Sequence, residues 1–138
     1  MARKHAKTSP AQPPVLHAGD PGYQGISITF DQFAEPLLVG AESLEELRLS
    51  YSLAMLAWNI ASMPPHLRPR MLASALVGTP IDLQLETRKH LATMIARKDS
   101  SFSQQNWLVQ DVHLEETADG VRMSVTISEL VRPDEQID

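Results

Sequence analysis

The chain has 138 residues, 43% hydrophobic and 21% charged, with a net charge of -5 and no cysteine. Without cysteine there are no disulfides, no thiolate catalysis, no zinc fingers and no iron–sulfur clusters, and a mean hydropathy of -0.18 is that of a water-soluble chain. The acidic balance leaves only Arg3, Lys4 and Lys7 as a basic group near one end, too little to neutralise a phosphate backbone, so nucleic acid is disfavoured as a partner.

Residues 1–24 carry Pro10, Pro13, Pro14 and Pro21 without apolar periodicity and read as an extended, weakly basic tail. Arg3 and Lys4 are followed by a polar, proline-rich stretch rather than the apolar core of a signal peptide. The most apolar run, 53–61, is too short to cross a bilayer. The expectation is a cytoplasmic protein with no membrane partner. The body, residues 25–132, is expected to form one domain, followed by an acidic tail over 133–138 with Asp134, Glu135 and Asp138.

Gly25-Ile26-Ser27-Ile28-Thr29-Phe30 alternates with period two and predicts a short strand. Asp31 then caps a short helix to about Leu38, restricted by Pro36 and stopped at Gly40. The next helix, over 43–62, is the best signalled. Ser43 and Glu46 make a capping box, with Glu42 and Glu45 adding favourable charge at the same end. Leu44, Leu47, Tyr51, Ala54, Met55 and Trp58 form one apolar stripe and Leu49, Leu53, Leu56 and Ile60 a second. A helix apolar nearly all round is either central in its domain or covered by a partner. Asn59 within it either fixes register or oligomer state, or satisfies backbone groups near the helix end.

Residues 66–78 predict a short helix from about Pro69 to Val77, closed by Gly78. Thr79-Pro80-Ile81-Asp82 then opens a helix over 80–98. Its expected inner residues are Ile81, Leu85, Ala92 and Ile95, extended by Leu91 and Met94. A polar connector with Phe102 as its one apolar anchor leads into a β-hairpin. Leu108, Val112 and Leu114 alternate in one strand, and Val121, Met123, Val125 and Ile127 in the other. Asp119-Gly120 is a turn signal, and a longer loop over 117–120 is the alternative register. The expected fold is α+β, with three to four helices packed on a small antiparallel sheet. The C-terminal hairpin supplies that sheet, and its third strand is either the one at 25–30 or a strand from a partner subunit.

Motifs for chemistry are sparse. The six glycines match neither the phosphate-binding nor the dinucleotide pattern, and no nucleophile elbow occurs. Glu86 and His90 share a helix face, and His113 and Glu115 a strand face. Together the four have the donor types for a divalent ion, but His113 and Glu115 are expected on the outer face of the hairpin, so separate surface pairs are the simpler reading. His66, Arg68 and Arg70 form a small basic cluster beside two prolines, suited to a carboxylate or phosphate, or else a solvated turn. Trp107, with Val109 and Leu130, makes an apolar patch on the hairpin's outer face.

These features favour a non-catalytic protein-interaction or oligomerisation domain without a cofactor. Its partner is a second copy of itself or another protein, and its interface candidates are Tyr51, Met55, Leu56, Trp58, Trp107 and Leu130. The alternative is a small-molecule-binding domain or small enzyme with its site between helix 80–98 and the sheet, using Glu86, His90 or His113.

Overall fold

The computed structural model describes residues 15–17, 21–105 and 107–129. In chain order these form β1 (Val15–His17), α1 (Pro21–Leu38), α2 (Leu44–Ala61), α3 (Arg68–Ala75), α4 (Ile81–Ser101), β2 (Trp107–Thr117) and β3 (Gly120–Glu129). A single 3-10 turn, Pro65–Leu67, precedes α3. The fold is α+β, with four helices and a C-terminal hairpin, as the sequence predicts. No helix among the described residues is long and apolar enough to cross a membrane.

The strand order is β1-β3-β2. β1 runs parallel to β3, with Val15 opposite Val121 and His17 opposite Met123. β1 and the first residues of α1 fall in the stretch expected to be an extended tail. The strand expected at 25–30 is not formed, because these residues lie in α1. Ser27, Phe30, Asp31, Ala34 and Leu38 are its buried positions at helical spacing, with Phe33 beside them, whereas Ile28 is exposed. The chain buries every third or fourth residue rather than every second. Pro36 is tolerated near the C-terminal end of this helix, so Asp31 is an interior residue rather than a cap.

The hairpin forms, with Ala118 and Asp119 between its strands and Gly120 as the first residue of β3. Gly120 has φ 142°, a conformation open to glycine and strained for residues with a Cβ. Thr117 fixes the turn: its hydroxyl accepts from the Asp119 N–H at 3.2 Å and donates to the Gly120 carbonyl at 3.1 Å.

The described residues fall into two compact units, one of residues up to 54 with 112–125, the other of 55–111 with those from 126 on. In the first unit, Phe30, Phe33, Leu38, Leu47, Tyr51, Val121, Met123 and Val125 are buried. Phe30 lies 6.2 Å from both Phe33 and Tyr51, ring centre to ring centre. The Tyr51 hydroxyl donates to the Asp31 carboxylate, and the Ser50 hydroxyl donates to the Leu37 carbonyl at 2.9 Å. The expected capping box opens α2. The Ser43 hydroxyl accepts from the Glu46 N–H at 3.1 Å, and the Glu46 carboxylate accepts from the Glu42 N–H at 2.7 Å.

The second unit is built around Trp58. Its ring stacks on Trp107 at 4.4 Å and lies tilted against Phe102 at 6.0 Å, while its indole N–H donates to the Trp107 carbonyl at 2.8 Å. Lys98 Nζ sits 4.6 Å from the centre of the Trp58 ring and donates to the carbonyls of Phe102 and Gln105, both at 3.2 Å. These bonds close the C-terminal end of α4 with a side chain that is itself buried. Asn59 accepts from the Val109 N–H and donates to the Val109 carbonyl, each at 2.8 Å. β2 is an edge strand, so Asn59 supplies the partner that an adjacent strand would.

Candidate docking surface

α4 has two faces of different character. Leu91, Met94 and Lys98 are its buried residues, spaced three and four apart in its C-terminal half. Its first half, residues 81–90, buries nothing, and α3 before it has no buried residue at all. Leu76, just beyond α3, is the one buried residue in the connection and holds it to the unit. Gln84 supports the same turn, its amide donating to the carbonyls of Leu76 and Thr79 at 3.2 and 3.0 Å.

Within this solvent-facing stretch stand large apolar side chains. Val77 is 81% exposed, Ile81 84%, Leu83 52% and Leu85 66%. Ile81 and Leu85 lie one turn apart and share their side of α4 with Ala92, roughly a third of a turn from the buried stripe. The expectation that Ile81, Leu85 and Ala92 face the core is therefore corrected: Leu91 and Met94 take that place, and α4 carries a second apolar stripe outward. Val39 and Leu49 are also exposed, each singly in its segment, which is ordinary for a protein surface.

Charge on the exposed half of α4 is ordered. Asp82 and Glu86 come first, and Arg88 and Lys89 follow. The acids near the N-terminus are where the helix dipole favours them. Glu86 and His90 form a pair at 3.4 Å with both side chains largely in solvent, a contact worth little by itself.

The residues expected to form an interface on α2 and β2 are placed differently. Tyr51, Trp58 and Trp107 are buried, Met55 and Leu56 are half-buried, and Leu130 lies outside the described residues. The apolar girdle of α2 is thus largely consumed by the fold. Trp107 and Val109 face inward because burial along β2 changes phase: alternate residues are covered at 107 and 109, then half-covered at 112 and 114. Asn59, expected to serve groups near its own helix end, instead holds the backbone of β2.

The basic cluster is divided. Arg68 donates from its two terminal nitrogens to the Asp99 carboxylate at 2.8 and 3.1 Å, and also to the carbonyls of Ala61 and Met63. It binds the end of α2 to α4, leaving His66 and Arg70 as exposed neighbours. Glu86 and His90 occur as the surface pair described, while His113 and Glu115 are exposed on β2. No group of three or more His, Asp or Glu suited to a metal ion occurs among the described residues. An open cleft of about 280 Å³ is lined by Arg48, Tyr51, Ser52, Val112, His113 and Leu114, none of them from helix 80–98.

The chain matches no protein-family model, no curated protein and no solved structure in these comparisons.

Proposed function

We propose that the chain is a protein-interaction domain whose docking surface is the outer side of the α3–α4 segment. The observation that carries this is Ile81 and Leu85, two large apolar side chains one turn apart on the same side of α4, mostly in water, on a segment that buries almost nothing in its own unit. Leaving such side chains in solvent forgoes about 1.5–3 kcal/mol each relative to full burial, and with Ala92 on the same side of the helix they form a stripe rather than scattered residues. α4, held by its buried Leu91 and Met94, presents that stripe on a regular backbone, so docking requires little ordering. Asp82, Glu86 and Lys89, on one flank of that stripe, give it the charged rim of a protein contact.

A photo-reactive benzophenone amino acid placed at position 85 of the full chain in its native cells tests this directly, with the same group at the exposed position 110 as control. The expected result is a discrete covalent adduct from position 85 and none from position 110. No adduct at 85, or equal labelling from both positions, would overturn the proposal.

A further inference from the structure

We infer that the occupant of this surface is a second copy of the same chain, with the two α4 helices lying side by side and antiparallel. The inference rests on the docking role proposed above and adds the partner and its orientation. The argument begins with the order of charge along the exposed half of α4, where Asp82 and Glu86 precede Arg88 and Lys89. Parallel helices would set acid beside acid and base beside base. Antiparallel helices set the acidic end of each copy beside the basic part of the other, and they oppose the two helix dipoles favourably as well.

The apolar stripe selects a register. A twofold axis passing between Leu85 and Arg88 brings Ile81 of each copy level with Ala92 of the other, a large side chain over a small one. Leu85 then meets the aliphatic stem of the other copy's Arg88. In that register Lys89 of one copy falls level with Gln84 of the other and within about a turn of Asp82, which shares its flank of the helix, while the two Glu86 lie nearly level with each other farther round toward solvent. The same contacts are made twice, once on each side of the axis. Such an isologous contact closes on itself, so both copies cover their apolar stripe and no open chain of molecules results.

The test is solution mass against concentration for the full chain, by light scattering, on wild type and two charge-reversed variants. One carries Asp82→Lys with Glu86→Lys, the other Arg88→Glu with Lys89→Glu, and circular dichroism confirms that each is folded. The wild type is expected to be a dimer that dissociates on dilution. Each variant alone should dissociate at concentrations at least tenfold higher, and an equimolar mixture should regain dimers near the wild-type midpoint. Leu85→Glu, measured alongside, separates the two proposals. If Leu85→Glu dissociates the dimer while the charge reversals and their mixture change nothing, the docking surface stands and the antiparallel pairing is overturned. If the wild type is monomeric throughout while position 85 yields an adduct of another mass, the second copy is overturned and the docking surface again stands. If the wild type is a dimer unaffected by Leu85→Glu, both are overturned.

Discussion

Asn59 shows how one polar side chain can specify where a helix meets a sheet. Both ends of its amide are used on one residue of an edge strand, so replacing it leaves the Val109 N–H and carbonyl together without their partner. Asn59→Ala is expected to cost about 2–3 kcal/mol in urea unfolding, and a cost below about 0.5 kcal/mol would show that water serves these groups equally well. Lys98 is another polar residue committed to the second unit, as is Arg68. Burial pushes its ammonium below the ordinary value of 10.5, with Asp99 opposing that shift and Arg68 adding to it. Between the lowered native value and 10.5 the unfolded chain therefore holds more protons than the folded one, and stability contributed by this group rises with pH. Measured as wild type minus Lys98→Met, unfolding free energy should be flat below that window and climb within it. A difference that stays level or falls across the window would contradict the assignment. In the first unit, Ser27 is buried with no hydrogen-bond partner for its hydroxyl among the described residues, and nothing in the structure explains its retention.

At the level of elements, those whose signals agreed were legible and those whose signals conflicted were not. α2 carries a capping box and dense apolar spacing, and both act as expected. The hairpin follows from its alternation and its glycine. However, Gly120 is used for a strand-initiating residue with positive φ rather than as the second residue of the turn. α1 was obscured because two of its inward positions, Ser27 and Asp31, are polar, while Ile26, Ile28 and Phe30 happen to alternate. Tertiary burial overrode the β preference of its isoleucines. β2 misled for a different reason: its burial changes phase after Val109, and a period-two pattern read from one end inverts the faces at the other. The two stripes of α4 are both apolar, and composition alone does not say which one meets the core. Leu91, Met94 and Lys98 do, a choice that depends on a buried lysine no hydropathy pattern would select.

For the molecule as a whole, a surplus of apolar helix surface was legible in the sequence, but its location was not. The surplus was visible on α2, where the fold absorbs most of it, and it stands instead on α4, where a plausible inward stripe concealed it. The Arg68–Asp99 contact and the Lys98 bonds hold α4 at its C-terminal half, so changes in its first half should be felt by a partner and not by the fold. Surface substitutions of this kind ordinarily change stability by no more than about 0.5 kcal/mol. The measurement that tests this most directly compares the full chain with an Ile81→Glu, Leu85→Glu double variant, recording solution mass and unfolding free energy on the same samples. The account predicts that the variant loses association while its unfolding free energy, taken at a concentration where both proteins are monomeric, is unchanged. A variant that unfolds, or one that keeps the wild-type mass at every concentration, would contradict it.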